Sequence, residues 1–193
     1  MKYLIFGLGN IGPEYQKTRH NIGFTILDAL AEASNVVFTP NRLASVAEYK
    51  YKSRYFILIK PTTYMNLSGK AVNYWIQKTK VPIENILVLV DDLALPFGHL
   101  RIKGKGADGG HNGLKSINET LGRNDYARLR FGIGNSFNQG QQVDYVLSEW
   151  NTEEKKLLPE RLQVVNDAIR SFGTIGIQRT MNLYNNNKPP SDI

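Results

Sequence analysis

Cysteine is absent from this 193-residue chain. That removes disulfides, thiolate nucleophiles and thiolate metal sites together, and it fits a reducing compartment. Histidine is scarce: His20, His99 and His111 are the whole set, so a side chain that exchanges a proton near neutral pH has three candidate positions. No H-E-x-x-H or comparable ligand spacing occurs, and no metal or other cofactor is expected. Long apolar runs are missing as well. The opening Tyr3-Leu4-Ile5-Phe6 is too short for a signal-peptide core, and nothing later approaches membrane-spanning length. The expectation is an untargeted cytoplasmic protein with no membrane partner. Acidic residues are outnumbered, 17 against 24 Lys and Arg, for a net charge of +7. This excess suits a polyanionic partner, and it suits solubility almost as well.

The chain length fits one α/β domain spanning 1–193. Lys2 to Phe6 reads as a buried strand ending in glycines, and Ile22 to Ala31 places Ile22, Ile26, Leu27 and Leu30 on one helical face. Val46 to Tyr51 and Tyr55 to Ile59, separated by Lys52-Ser53-Arg54, read as a hairpin. Ser68 is the expected N-cap of a helix carrying Ala71, Val72, Trp75 and Ile76, and Ile86 to Val90 is a buried strand ending at Asp91-Asp92. A strand at Leu100 to Lys103, a helix at Leu114 to Leu121 and a strand at Ala127 to Ile133 follow. Thr152 to Phe172 is helical, capped by Asn151 or Thr152, with Pro159 a kink or a break. The expected fold is a central mixed twisted sheet flanked by helices. From about 185 the Asn-rich, Pro-ending tail has nothing to bury and is expected to be mobile.

Gly7-Leu8-Gly9-Asn10-Ile11-Gly12 satisfies G-x-G-x-x-G directly after a strand, the pattern of a dinucleotide-binding turn. Its context argues otherwise. Pro13-Glu14-Tyr15 follows where a helix should open, and the acid at the expected spacing, Asp28, sits mid-helix rather than at the end of a second strand. Asn10 is then equally readable as turn chemistry.

His20 opens a helix after that loop and Asp91 closes the central strand, so both belong to the carboxyl edge of the sheet, where α/β sites form. A carboxylate on one imidazole nitrogen fixes the tautomer and leaves the other nitrogen to take a proton from water, with no serine required. Each residue also has a plain structural reading, His20 as a helix-start residue and Asp91 as a turn cap. Gly109-Gly110-His111-Asn112-Gly113 leads into a helix, where backbone amides and Asn112 could face an anion or carbonyl, or Asn112 could serve simply as the N-cap. Around it lie Arg101, Lys103, Lys105, Lys115, Arg123, Arg128 and Arg130, the densest basic stretch, for which phosphate is the natural ligand.

Taken together with Thr18-Arg19-His20-Asn21, Lys60-Pro61-Thr62-Thr63-Tyr64-Met65-Asn66-Leu67-Ser68-Gly69 and Arg128-Leu129-Arg130-Phe131-Gly132-Ile133-Gly134, these segments resemble the bacterial peptidyl-tRNA hydrolase family from Lys2 to about Leu183. The resemblance implies a monomeric, metal-independent esterase acting on peptidyl-tRNA. It makes His20 the proton acceptor and Asp91, not Asp92, its partner. It places Asn10, Asn66 and Asn112, with Tyr15 and Tyr64, around the peptide and terminal adenosine, with Asn10 distinguishing blocked from free aminoacyl ends. It assigns Lys103 and Arg130 to the tRNA 5′ phosphate. Two departures stand out: Ala94 replaces a usual second acidic residue, and Ala107-Asp108 interrupts a segment that is commonly glycine-rich. A non-catalytic RNA-binding protein on the same scaffold is the alternative, since fold and basic surface would persist without turnover.

Overall fold

The computed structural model describes residues 1–190. Strands β1 (Lys2–Gly7), β2 (Thr39–Asn41), β3 (Ala44–Tyr51), β4 (Arg54–Pro61), β5 (Ile86–Asp92), β6 (Leu100–Lys103) and β7 (Ala127–Gly132) form one sheet in the order β2-β3-β4-β1-β5-β7-β6. The central four are parallel, while β2, β3 and β6 pair antiparallel to their neighbours. Helices α1 (Ile22–Ala33) and α5 (Thr152–Ile175) lie against one face, and α2 (Ser68–Thr79) and α3 (Asn112–Leu121) against the other. Alternation along β1 sends Tyr3 and Ile5 into the first core and Leu4 and Phe6 into the second. A strand buried on both faces reads as a continuous apolar run for this reason.

The chain leaves β1 toward β4 on one side, then returns to add β5 on the other. The strand order therefore reverses at the β1/β5 pair, and a crevice opens beyond their carboxyl ends. The loop after Gly7 and the carboxylate of Asp91 both sit at that edge. Glycine is required here by contact: a Cβ on Gly7 would lie 2.3 Å from the Gly23 carbonyl oxygen. The start of α1 thus rests directly on the strand end. Gly12, with φ 116°, turns the chain into a single 3-10 turn, Pro13–Tyr15. The third glycine of the motif does not open the helix, which begins only at Ile22.

Several expectations are revised. Ser68 is the first residue of α2 rather than its cap, and its hydroxyl donates to the Met65 carbonyl at 2.7 Å. Helix α5 runs unbroken through Pro159 and is capped by Asn151, which forms a reciprocal capping box with Glu154. Three short elements add to those expected from the sequence: β2, which holds Pro40 at a sheet edge, α4 (Gln142–Val146) and α6 (Ile177–Tyr184). The segment from 185 makes specific contacts. Asn185 accepts from the Ile102 amide at 2.6 Å and donates to its carbonyl at 2.9 Å, and Asn187 accepts from the buried Arg161. Residues 191–193 of the expected tail lie outside the described residues.

Candidate active site

A 3-10 turn, Arg19–Asn21, joins the glycine loop to α1 and carries His20. His20 Nδ1 lies 3.0 Å and 2.9 Å from Asp91 Oδ1 and Oδ2. Asp91, 4% exposed, meets a second imidazole on its other side, with His111 Nε2 2.7 Å from Oδ1. Burial alone would raise the Asp91 pKa. The charges of His111 and His20 and their hydrogen bonds outweigh it and hold the carboxyl well below the usual carboxylate range.

Hydrogen-bond partners assign the tautomers. His111 is the N-cap of α3, and its Nδ1 accepts from the amides of Gly113 at 3.1 Å and Leu114 at 3.4 Å. Its ring proton must therefore sit on Nε2 and point at Asp91. His20 likewise donates from Nδ1 to the carboxylate, which leaves Nε2 with a lone pair for a substrate proton. The N-cap reading proposed for Asn112 belongs instead to His111.

His20, Asp91 and His111 bring three ligand-type atoms within 4.8 Å of one another. The sequence spacing gives no hint of that convergence. The donor set does not fit a cation. With His111 Nδ1 committed to backbone amides, a metal at Nε2 would require an imidazolate, and both nitrogens already use the one carboxylate.

A cavity of about 330 Å³ opens over this cluster, lined by His20, Asp91, Gly109, Asn112, Arg130 and Val143. The anion cradle expected of the glycine-rich turn is largely spent internally: Gly110 N–H donates to Asp108, His111 N–H to the Asp108 carbonyl, and Gly113 and Leu114 to His111. Asn112 is exposed and remains at the rim.

Asn10 lies beside the cluster rather than in that cavity, lining a neighbouring groove with Asn21 and Lys60. Asn21 clasps its backbone, accepting from Asn10 N–H and donating to its carbonyl, both at 2.9 Å. Asn10 Oδ1 accepts from the Met65 amide at 2.7 Å, which fixes the carboxamide orientation and leaves Nδ2 as the group free to donate. The next residue, Asn66, is exposed, as is Tyr64, while Tyr15 is half-buried. None of these three lines the His20 cavity.

The basic stretch divides by geometry. Across β6 and β7, Arg101 faces Arg130 and Lys103 faces Arg128, so all four leave the same side of the ribbon. Lys103 is exposed, and Arg130 reaches the cavity while donating to the Ala107 carbonyl at 2.9 Å. Arg128 is fully buried, stacked 4.2 Å over Tyr126 and donating to the carbonyls of Gly106, Asn124 and Tyr126. It cannot meet a phosphate, contrary to the grouping expected from sequence. Arg123 is paired with Asp125.

Three functional-looking residues carry more than sequence reasoning allowed. His111 bonds directly to Asp91, Asn21 orders Asn10, and Arg19 is buried in an ion pair with Glu154. Their position inside quoted motifs is a signal, but it carries no direction. His99 lies outside the cavity, where burial, then Lys188 and Arg161, push its ring toward the neutral form.

The profile described as peptidyl-tRNA hydrolase matches residues 4–192. A peptidyl-tRNA hydrolase of Phocaeicola vulgatus is 62% identical over 185 residues, covering 96% of this chain and 99% of the relative. Another, of Cytophaga hutchinsonii, is 58% identical over 188 residues, covering 97% and 100%. The crystal structure of peptidyl-tRNA hydrolase from Acinetobacter baumannii superposes with a TM-score of 0.90 at 31% identity, over 97% of this chain and 96% of that one.

Proposed function

The chain belongs to the peptidyl-tRNA hydrolase family, and on that premise we propose that it cleaves the ester between a peptide, or an N-blocked amino acid, and the terminal ribose of tRNA. The observation that carries this reading is the Asp91 carboxylate held between two imidazoles, with His20 Nε2 left open to a cavity that also presents Asn112 and Arg130.

Water attacks the ester carbonyl as His20 Nε2 takes its proton, and Asp91 stabilises the imidazolium that forms. Collapse of the tetrahedral intermediate breaks the bond to the ribose oxygen, which recovers the proton from His20. A donor such as Asn10 Nδ2 or the Asn112 amide steadies the developing oxyanion, an effect worth about 10²–10³ in rate where measured. Asn66, Tyr15 and Tyr64 contact the peptide and terminal adenosine, and Lys103 and Arg130 hold the 5′ phosphate. No helix among the described residues is long and apolar enough to cross a membrane, and we assign the protein to the cytoplasm as a monomer.

The test is release of blocked amino acid from N-acetyl-aminoacyl-tRNA, with chelator present, by the wild type and by His20→Ala. Turnover that survives chelator and disappears in the variant is expected. Binding of tRNA without turnover would instead identify a non-catalytic RNA-binding protein, and unchanged activity in the variant would overturn the mechanism.

A further inference from the structure

We propose that Arg19 is a positioning residue that couples the 142–150 segment, one wall of the cavity, to the turn that carries His20. The inference rests on the hydrolase reading for its kinetic readout but not for its structural one.

Helix α4 supplies Gln142, Val143 and Val146 to the cavity. It has five residues, fully buries none, and packs only Tyr145 and Val146 partly against the core, so a helix this short depends on side-chain ties for its position, one of them the Tyr145 hydroxyl donating to the Ile133 carbonyl. Its fixation comes from beneath. Arg19, 6% exposed, donates from Nη1 to the Ser148 hydroxyl and, at 2.6 Å, to the Glu149 carbonyl. From Nη2 it donates to Glu154 Oε1 at 2.7 Å. Its guanidinium lies 4.4 Å from the Tyr145 ring centroid and 5.6 Å from that of Trp150. The backbone joins in, with Arg19 N–H donating to the Ser148 carbonyl at 3.0 Å and Thr18 bridging Glu149. Glu154 Oε1 also accepts the Asn151 amide, so the same oxygen fixes the start of α5.

A buried ion pair adds little net stability compared with apolar side chains of the same volume, whereas breaking one is costly. What this pair supplies is a single geometry between the cavity wall and the residue beside His20. A displacement of about 1 Å at such a wall can cost on the order of 10²-fold in rate.

The experiment compares wild type, Arg19→Met and Arg19→Met/Glu154→Gln in single-turnover hydrolysis of N-acetyl-aminoacyl-tRNA, thermal unfolding, and amide hydrogen exchange of residues 142–149. The single variant orphans the Glu154 charge and loses Tm; the double variant removes that charge, and Tm recovers. The cleavage rate is expected to fall by roughly tenfold or more in both variants, with faster exchange confined to 142–149. Activity that recovers along with Tm would reduce Arg19 to a stabilising residue and overturn the proposal, as would unchanged exchange at 142–149. An inactive wild type would count against the hydrolase reading alone, since exchange still reports the coupling.

Discussion

Asp91→Asn replaces one oxygen with an amide nitrogen and leaves the side-chain shape unchanged, yet the hydrogen-bond chain predicts a severe defect. The proton on His111 Nε2 is fixed by the two backbone amides that occupy its Nδ1. The introduced carboxamide must therefore keep its oxygen toward His111, which puts its NH₂ where Oδ2 now stands, 2.9 Å from His20 Nδ1. The NH₂ at 2.9 Å opposes a proton on Nδ1, and the one remaining oxygen, 3.0 Å from Nδ1, is already taken by His111 at 2.7 Å, so His20 is expected to move its proton to Nε2, and the nitrogen that faces the cavity stops being a base. General-base assistance contributes about 10²–10⁴ in rate, equivalent to roughly 2.7–5.4 kcal/mol of barrier, and the loss should be of that order. Asp91→Ala removes more atoms but leaves the tautomer free, so it should lose no more than the isosteric variant. Single-turnover hydrolysis gives the rates. Long-range ¹⁵N–¹H spectra give the tautomers and are simple to assign, because the chain has only three histidines. An Asp91→Asn variant within tenfold of wild type, or one that retains the His20 proton on Nδ1, refutes the reasoning.

Acid stability should carry the signature of the same carboxylate. Its folded pKa is depressed, burial being outweighed by His111 and His20, so the stability it contributes is complete above the unfolded value of about 3.9 and is lost as pH falls through the folded one. The Tm gap between wild type and Asp91→Asn should be widest above about pH 5 and should narrow toward pH 2; a gap that grows on acidification contradicts the assignment. On the basic face, Lys103→Gln and Arg130→Gln should each weaken tRNA binding and flatten the slope of log K against log salt by about one. Arg128→Met should leave that slope alone and cost roughly 2–4 kcal/mol of stability instead, because the carbonyls it serves lose their donor; filter binding at several salt concentrations beside thermal unfolding separates the two classes.

The elements legible in the sequence are those with a period and a core. Strand β5 is an unbroken apolar run because both faces are covered, and α1 shows its inward face at Ile22, Ile26, Leu27 and Leu30. Helix α4 escapes the same reasoning because its five residues offer the core only Tyr145 and Val146, both partly buried, whereas α6 does present Ile177, Met181 and Tyr184 to the core at helical spacing. Pro159 misleads for a related reason: its ring removes one amide from a 24-residue helix whose next turns bury Arg161, Val165, Asn166 and Ala168. Tertiary packing outweighs the missing hydrogen bond. The docking of Asn185 and Asn187 is equally unreadable, since polar side chains that satisfy a sheet edge look like those of a solvated tail.

At the site, strand ends and loop context make a His20–Asp91 pair possible beside a plain structural reading of each, because topology brings both to one edge; the resemblance, not the pattern, singles out Asp91. Burial separates Arg128 from Arg130, two residues away on the same face, and charge patterning has no access to burial. The turn at Gly109 to Gly113 is the more instructive case. A run of glycines before a helix suggests amides waiting for an anion, but here a histidine within the run takes those amides for itself. Gly113 permits this by lacking a Cβ, which would stand 2.7 Å from Leu8 Cδ1 and 3.0 Å from His111 Cε1. By accepting at Nδ1, His111 is made a donor at Nε2, and Asp91 receives a proton it cannot exchange for a lone pair. An ionised carboxylate can only accept, so His20 donates to it as well: the two backbone amides at the start of α3 fix the His111 tautomer, and the charge on Asp91 fixes that of His20.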